Sequence, residues 1–419
     1  MNVDLVVVGL GYVGLPLAQE ATRSGLTVVG YDVSAEAVDG LNSGTSHIDD
    51  LSDADIDEMR AAGFRATTDP TSLAEADAIV ICVPTPLSDD GTPDLRAIEG
   101  ATGDIGRNLT AGTLVVLEST TYPGTTNDIV RPILEELSGL TAGVDFHLAF
   151  SPERIDPGNP QFGLRNTPKV VGGYTPADTE VAAAFYGRIV DEVVRTVGTR
   201  EAEMAKLLEN TYRHVNIALM NEMAIFAHEL DIDLWSVIDA AKTKPFGFQA
   251  FYPGPGVGGH CIPIDPNYLS YAVRSLGYQF RFVELAQDVS SRMPAYVATR
   301  AQSLLNEQRL SVNGAKILLL GVTYKADISD ERETPARPLA ARLLELGADL
   351  SFYDPHVSRF IVGEHAVTQA TDLAAAMKDA DLVILLQAHS AVMDEADFDS
   401  ATSILDTRGK LRGANVDRL

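Results

Sequence analysis

The chain has 419 residues, of which 45% are hydrophobic and 22% are charged. This length exceeds one ordinary domain, and the composition is that of a folded globular protein rather than a disordered or fibrous one. A net charge of −27 disfavours nucleic acid and anionic membranes as partners, because both require clustered Lys and Arg. No apolar run reaches the ~18 residues of a membrane helix and no signal peptide is evident, so we expect a cytoplasmic protein.

The first third of the chain alternates short apolar, β-branched runs with helix-length apolar periodicity. This alternation predicts a doubly wound parallel sheet, hence an α/β fold. The predicted strands are residues 3–8, 27–31, 78–83, 113–117 and 146–150.

A glycine motif typical of dinucleotide-binding turns, Gly9-Leu-Gly11-Tyr12-Val13-Gly14, follows the first predicted strand. In such turns the first glycine permits a tight bend, the second lets the backbone approach a pyrophosphate, and the third lets helix pack on strand. Asp32 ends the second strand, where a carboxylate binds a ribose 2′-hydroxyl and repels a 2′-phosphate. The motif therefore predicts NAD, rather than NADP, as the cofactor.

Polar segments follow three later strands of this predicted sheet. They are Val83-Pro84-Thr85-Pro86, Glu118-Ser119-Thr120-Thr121 and Ser151-Pro152-Glu153-Arg154. Since the carboxyl ends of parallel strands meet at one edge, we expect the first two to border the cofactor. Glu153 is a further cleft candidate, although surface glutamates are common.

The middle of the chain has helical periodicity over residues 201–230 and 235–241, a Gly/Pro-rich break over 245–266, and helical periodicity again over 268–306. Lys206 and Asn210 lie four residues apart and therefore share one helix face. That face either points into a cleft or is simply solvated, and the nearby Glu203 and Glu209 suit the solvated interpretation.

Cys261 lies in the most unusual segment, where four glycines precede it within residues 251–266. A lone cysteine is usually part of a core, as we expect for Cys82 within its strand, but glycines let a ligand approach closely and favour a nucleophile here. Asp265 follows four residues later. His260 is not assigned as the base, because adjacent side chains of extended chain point to opposite sides. Scattered histidines and the lack of paired cysteines argue against zinc, so no metal is expected.

The last third returns to strand and helix alternation, and three of its segments are similar to segments of the first third. Residues 316–321, 350–354 and 380–385 parallel residues 3–9, 28–32 and 76–81. Either two similar α/β domains flank the helices, or parallel strands simply look alike. We expect a Rossmann-like domain at 1–200, a helical domain with the Cys261 loop at 201–306, and a second Rossmann-like domain at 307–419.

In combination, these motifs resemble the UDP-glucose/GDP-mannose dehydrogenase family of nucleotide-sugar 6-dehydrogenases over essentially the whole chain. Besides the motifs above, the resemblance rests on Tyr324-Lys325-Ala326-Asp327 and Arg332-Glu333-Thr334-Pro335. It implies that residues 1–200 bind NAD, that the central helix forms much of a homodimer, and that residues 307–419 bind a UDP-sugar.

The resemblance implies oxidation of a C6 primary alcohol to a carboxylate in two NAD-dependent steps. Cys261 would form a thiohemiacetal with the intermediate aldehyde, and its oxidation would give a thioester that water hydrolyses. The other implied catalytic roles are oxyanion stabilisation by Lys206 and Asn210, proton handling by Asp265, hydrolytic base chemistry by Glu153 and water binding by Thr120. As a nearby cation, Lys206 would also favour the thiolate.

The resemblance also implies two sets of binding residues. The cofactor set adds Val83, Pro84, Thr85, Pro86, Ser119, Thr120 and Arg332 to the glycine motif and Asp32. The substrate set is Glu153, Arg154, Lys206, Asn210, Phe251, Tyr252, Pro253, Gly254, Gly256, Gly258 and Lys325.

The residues after Cys261 bear on the sugar. Gly-His-Cys-Ile-Pro-Ile-Asp is similar to the N-acetylhexosamine branch, whereas glucose-type members more often carry Lys in the place of Ile264. We therefore expect UDP-N-acetylglucosamine, or a related UDP-N-acetylhexosamine, with UDP-glucose as the alternative. Two other functions stay open, a single-step dehydrogenase of the 6-phosphogluconate type, which needs no cysteine, and a non-enzymatic NAD sensor.

Overall fold

A computed structural model describes residues 3–88, 92–156, 159, 161–259, 262 and 264–419. The chain divides into two compact units. The first comprises Met1–Glu209 and Asn267–Tyr278, and the second comprises Asn210–Pro266 and Gln279–Leu419. No helix in the described ranges is both long and apolar enough to cross a membrane.

The first unit is built on one mainly parallel sheet. Its strands are β1 (Val3–Val8), β2 (Val28–Tyr31), β3 (Arg65–Thr67), β4 (Ala76–Ile81), β5 (Leu114–Leu117), β6 (His147–Phe150), β7 (Lys169–Gly173) and β8 (Val193–Arg195). Their order is β3-β2-β1-β4-β5-β6-β7-β8, and β6 and β7 pair antiparallel. The first six strands thus have the order of a dinucleotide-binding sheet.

Helices cover both faces of this sheet. They are α1 (Gly14–Arg23), α2 (Ala35–Ser43), α3 (Asp53–Ala61), α4 (Arg96–Asn108), α5 (Arg131–Ser138) and α6 (Pro176–Tyr186). Successive residues of β1 point to opposite faces, so that Leu5 packs in one core with Leu15 of α1, whereas Val6 packs in another with Ile98 of α4. Burial on both faces explains why four successive residues of the strand, 5–8, are apolar.

In the described part of the chain, the first sheet is followed by the helices α7 (Thr199–Glu229), α8 (Leu234–Ala241), α9 (Asp265–Ser275) and α10 (Arg281–Glu307). The sequence predicted one helical stretch over 268–306, and this was wrong. Gly277 adopts a left-handed φ of +83° and ends α9, because glycine takes that conformation at a helix C-terminus without steric cost.

The second unit contains the other sheet. Its strands are β9 (Lys316–Leu320), β10 (Asp349–Tyr353), β11 (Phe360–Val362), β12 (His365–Gln369), β13 (Leu382–Leu385), β14 (Ile404–Asp406) and β15 (Val416–Arg418), and its helices are α11 (Ala336–Glu345), α12 (Leu373–Asp379) and α13 (Ser390–Glu395). The strand order is β11-β12-β10-β9-β13-β14-β15. Strand β11 is antiparallel to β12. The other six strands repeat the order of the first six strands of the first sheet.

The similarity between the two sheets extends to individual hydrogen bonds. The amide of Gly9 donates to the Tyr31 carbonyl at 2.8 Å, and the amide of Gly321 donates to the Tyr353 carbonyl at 2.9 Å. The α/β expectation is therefore confirmed for both sheets. The first and last thirds of the chain share a strand order and equivalent turn hydrogen bonds, so their similarity is more than the general resemblance of parallel strands.

Candidate active site

The turn between β1 and α1 has the geometry that a dinucleotide requires. Gly9 adopts a φ of +90°, and a Cβ added to Gly14 would lie 1.9 Å from the Gly9 carbonyl oxygen. A Cβ on Gly11 would meet nothing within 4 Å. The third glycine is thus required for packing, whereas the second borders the open space that a pyrophosphate needs at the start of a helix.

Asp32 lies beside this turn, directly after β2. Its Oδ2 accepts the Leu10 amide at 2.8 Å and its Oδ1 accepts the Ser34 amide at 2.8 Å. These bonds orient the carboxylate, and each oxygen keeps a second lone pair for a ribose hydroxyl. The residues of the turn therefore fit NAD, with Tyr12 exposed and Val13 half-buried at the start of α1.

The polar turns after β4 and β5, both predicted to border the cofactor, are in contact. The Ser119 hydroxyl donates to the Val83 carbonyl at 2.7 Å. Thr85 is buried and its carbonyl accepts the hydroxyl of Tyr268 from α9, while Pro84 and Pro86 are exposed and Thr120 is half-buried. A Cβ on Gly9 would lie 2.9 Å from the Cys82 carbonyl oxygen, so the glycine turn adjoins them. Cys82 itself is a free, buried cysteine.

Glu153 and Lys206, which the sequence placed in one site, are in contact. The Lys206 ammonium donates to the Glu153 carbonyl oxygen at 2.9 Å. The Glu153 carboxylate accepts the amides of Arg154 and Ile155, both at 2.7 Å, and the Lys169 ammonium at 3.0 Å. Burial by itself raises the pKa of Glu153, but the charge of Lys169 and these donors outweigh it and hold the pKa below its usual value.

Two neighbours of this contact have charged or backbone partners of their own. The guanidinium of Arg154 is bound to the Glu209 carboxylate, at 2.6 and 3.2 Å. Glu203, which suited a solvated helix face, is buried, and it accepts the amides of Gly124 at 2.5 Å and Thr126 at 2.9 Å. It satisfies free amides at the helical turn that begins at Thr126, so the solvated alternative does not hold at Glu203.

Asn210 and Asp265 form a second contact, within the second unit. The Asn210 amide donates to Asp265 Oδ2 at 2.6 Å, and Asp265 is buried at the first residue of α9. Cys261, the predicted nucleophile, and His260 lie outside the described residues. The structure therefore brings together two predicted site residues, Asn210 and Asp265, which precede and follow Cys261 in the sequence.

The glycines that precede Cys261 have a packing role that the sequence did not predict. A Cβ on Gly258 would lie 2.7 Å from Tyr324 Cβ, and one on Gly259, at φ +85°, would lie 2.7 Å from the Tyr324 ring. Gly256 adopts a φ of +137°, and its Cβ would lie 3.0 Å from Pro335. These glycines thus let the segment pack closely on the loop after β9.

The start of the same segment adjoins a residue that the sequence analysis missed. The Gly254 amide donates to Asn221 at 2.9 Å, and a Cβ on Gly254 would lie 3.3 Å from an Arg408 guanidinium nitrogen. Burial lowers the pKa of Arg408 to about 10, so this side chain stays charged at neutral pH. The signal was available, since Arg408 follows β14 as Val83 follows β4.

Aromatic contacts hold the other predicted substrate residues of this segment. Tyr252 stacks on Trp235 with ring centroids 5.7 Å apart, and Phe251 meets Tyr212 edge-on at 5.6 Å. Pro253 is buried next to them. The segment before Gly254 is therefore fixed against α7 and α8.

Backbone contacts hold the loop that carries Lys325. The Thr323 hydroxyl donates to the Lys325 carbonyl at 2.7 Å, and Gln387 donates to the Tyr324 carbonyl at 2.6 Å. Farther along, the guanidinium of Arg332, predicted to bind the cofactor, is paired with Asp330 at 2.6 Å and remains half-exposed.

Side chains from this loop and from the turns after β10 and β13 form a group of potential metal ligands. Among the described residues, Asp327, His356 and His389 bring potential ligand atoms within 4.8 Å of one another, so these histidines are less scattered than the sequence suggested. Nδ1 of His389 accepts the Asp327 amide at 2.9 Å, and its Nε2 bonds Asp354 at 3.1 Å. With both ring nitrogens bonded to the protein, His389 supports the loop rather than presenting a free ligand atom.

Comparison with known proteins gives a consistent result along the chain. Residues 3–190, 200–292 and 318–413 match, respectively, the NAD binding, central and UDP binding domains of the UDP-glucose/GDP-mannose dehydrogenase family. The chain is 36% identical over 396 residues to UDP-N-acetyl-D-glucosamine 6-dehydrogenase of Pseudomonas aeruginosa, which covers 93% of this chain and 91% of that protein.

Two solved structures are similar over nearly the full length. UDP-D-ManNAc dehydrogenase from Pyrococcus horikoshii has a TM-score of 0.89 at 32% identity and covers 99% of this chain and 98% of that one. UDP-glucose dehydrogenase from Pyrobaculum islandicum has a TM-score of 0.89 at 28% identity and covers 100% and 97%.

Proposed function

The chain belongs to the UDP-glucose/GDP-mannose dehydrogenase family, and from that premise we propose that it oxidises C6 of UDP-N-acetylglucosamine to the carboxylate through a thioester on Cys261. NAD-dependent oxidation of a nucleotide sugar is the activity of the family. The observation that supports the cysteine mechanism is the pairing of the predicted groups, Lys206 with Glu153 and Asn210 with Asp265.

The first unit holds the cofactor in this proposal. Gly9, Gly11 and Gly14 leave room for the pyrophosphate at the start of α1, and Asp32 accepts the ribose hydroxyls. When bound, NAD accepts a hydride in each of the two oxidations. The turns at Val83 and Ser119 close the same edge of the sheet.

The chemistry of the protein's own groups follows from their types and contacts. The Cys261 sulfur adds to the aldehyde carbon, and Lys206 and Asn210 donate hydrogen bonds to the resulting oxyanion. Lys206 is held for this by the Glu153 carbonyl, and Asn210 by the Asp265 carboxylate. Asp265 takes the proton of the substrate hydroxyl, and Glu153 activates the water that hydrolyses the thioester, with Thr120 as a further water ligand.

Basic side chains of the second unit suit the diphosphate of a UDP-sugar. Lys325 follows β9 and Arg408 follows β14, and both strands belong to the second sheet. Because guanidinium groups form paired hydrogen bonds with phosphate oxygens, we assign Arg408, with Lys325, to the nucleotide diphosphate. The segment from Phe251 to Gly258 then contributes backbone amides to the substrate.

The choice of sugar rests on Ile262 and Ile264 after Cys261, which are similar to the N-acetylhexosamine branch. The similarity to the Pseudomonas UDP-N-acetyl-D-glucosamine 6-dehydrogenase supports this choice. UDP-glucose is the second candidate, favoured by the similarity to the Pyrobaculum enzyme.

We also propose the division into an NAD-binding domain at 1–200, a central domain at 201–306 and a UDP-sugar domain at 307–419, with a homodimer formed through α7. Leu208, Tyr212, Leu219 and Phe226 are each 47–60% exposed. Their spacing of four, seven and seven residues places them on one face of the helix. An exposed apolar stripe of this kind is typical of an interaction surface.

The test is incubation of the protein with NAD and a panel of UDP-sugars while NADH absorbance and uronic acid are measured. We expect two NADH per acid, fastest with UDP-N-acetylglucosamine. Cys261→Ser should stop acid formation, whereas the matched control Cys82→Ala should retain the stoichiometry. One NADH per substrate, or unchanged acid production by Cys261→Ser, would contradict the cysteine mechanism.

A further inference from the structure

A buried lysine links Glu153 to a second carboxylate. Lys169, at the start of β7, is 3% exposed, and its ammonium lies 3.0 Å from Glu153 Oε2 and 3.1 Å from Glu118 Oε1. Glu118 is itself buried, directly after β5. An ammonium group removed from water in this way is stable only when its partners are charged and close.

The two carboxylates have different surroundings. Glu153 accepts two backbone amides at 2.7 Å in addition to Lys169, and donors of this kind favour an ionised carboxylate. Glu118 receives the Tyr186 hydroxyl and lies 4.0 Å from the Cys82 sulfur. Burial raises the pKa of Glu118, whereas the pKa of Glu153 is lowered. As pH falls, Glu118 is therefore protonated before Glu153.

We propose that Lys169 is a positioning residue that keeps Glu153 ionised and oriented for thioester hydrolysis. This inference rests on the proposed function. In the step concerned, a water oxygen bonds to the thioester carbonyl carbon while Glu153 takes one proton of that water. The carbon–sulfur bond then breaks, and the Cys261 sulfur keeps the electron pair, which leaves the sugar as a carboxylic acid.

The position of Lys169 suits this role better than simple pairing with Glu118. Its contact with Glu153 occupies Oε2 alone, while both backbone amides bind Oε1. Each carboxylate oxygen accepts more than one hydrogen bond, so Glu153 can still receive a proton. Lys206 holds the carbonyl of the same residue at 2.9 Å. Glu153 is thus fixed at its backbone by one lysine and at its carboxylate by another.

Lys169→Met tests the proposal, with Lys169→Arg as the matched control that keeps the charge. We expect Lys169→Met to move the acidic limb of the kcat profile to higher pH, to lower kcat at pH 7 by about tenfold or more, and to leave KM for the UDP-sugar within about twofold. Mass measurement of acid-quenched enzyme should show acylated Cys261 accumulating. Lys169→Arg should restore most of the wild-type profile.

Glu118→Gln provides a second measurement that does not depend on the folding of Lys169→Met. This variant removes the carboxylate that competes with Glu153 for Lys169. The acidic limb should then stay in place or move to lower pH, whereas Lys169→Met should move it to higher pH. An upward shift in Glu118→Gln, or an unchanged profile in folded Lys169→Met, overturns the proposal for Lys169. A wild-type protein that forms no NADH with any UDP-sugar instead overturns the proposed function.

Discussion

The turns that follow β1 and β9 share a framework but differ in what surrounds them. Asp32 accepts the Leu10 amide at 2.8 Å, and Asp354 accepts the Val322 amide at 2.7 Å. In the first unit α1 begins at Gly14, soon after the turn, whereas in the second α11 begins only at Ala336. Between them lies the loop that carries Lys325.

This difference explains how one framework serves two ligands. A helix that starts at the turn presents free amides and a positive dipole end to a pyrophosphate. In the second unit the helix start is displaced to Ala336, so the free amides of α11 do not follow directly on the turn after β9. In our proposal, the positive charge for the phosphates of the UDP-sugar comes instead from side chains such as Lys325 and Arg408.

The largest expected effect is that of Gly14→Ala. The added Cβ would lie 1.9 Å from the Gly9 carbonyl oxygen, so the turn must shift and KM for NAD should rise by about 100-fold or more, since a small displacement of a binding turn costs several kcal/mol. Initial NADH rates against NAD concentration measure this. Gly11→Ala, which meets no neighbour, should keep the wild-type urea midpoint. A wild-type KM for NAD in Gly14→Ala would show that NAD binding does not depend on the close packing of Gly14 against Gly9.

Gly321→Ala should reduce stability rather than NAD binding. Gly321 has a φ of +75° and Gln387 as a close neighbour, whereas Gly314 has a φ of +83° and nothing within 4 Å. Gly314→Ala should cost about 1 kcal/mol from the left-handed backbone alone, and Gly321→Ala about 3 kcal/mol, because overpacking adds to that strain. Urea unfolding of the two variants measures the difference. Equal losses would show that Gly321 is not confined by Gln387.

Asp32→Asn should weaken NAD by about tenfold, since a charged acceptor of the ribose hydroxyls is lost. It should also narrow the preference for NAD over NADP, because the carboxylate no longer repels a 2′-phosphate. The matched control is Asp354→Asn, the corresponding change in the second unit, which should leave KM for NAD unchanged. If both variants weakened NAD alike, the two turns would not have separate ligands.

Asp354→Asn should have the smallest effect, a loss of about 1 to 2 kcal/mol of stability at pH 7. Burial alone raises the pKa of Asp354, but hydrogen bonds from His389 and backbone amides outweigh it and lower the pKa below 3.8. A carboxyl group whose pKa is lowered by folding stabilises the protein at pH values above the pKa that it has in the unfolded chain. This stabilisation is lost as the pH falls below 3.8. The gap in urea midpoint between wild type and variant should therefore narrow from pH 7 to pH 3.5. A constant gap would contradict the lowered pKa of Asp354.

Much of the fold could be predicted because the signals are local. The glycine turn at Gly9, the apolar strands of the first sheet and the long helix containing Lys206 follow from φ preference and periodicity over a few residues. The break at Gly277 was missed, since one glycine within a helical pattern gives a weak signal. The glycines before Cys261 were interpreted as access for a ligand, whereas their contact partner, Tyr324, lies more than 60 residues away in the sequence.

The two α/β sheets, the cofactor turn and most of the candidate site residues could be predicted from the sequence, since each prediction depends on residue type and short-range spacing. The contacts between charged side chains could not be predicted, because they depend on the arrangement of the strands in the folded sheet. Glu118, Glu153 and Lys169 lie on three different strand ends and come together because β5, β6 and β7 are neighbours in the sheet. That adjacency is set by burial of apolar faces over the whole unit, which no local pattern encodes.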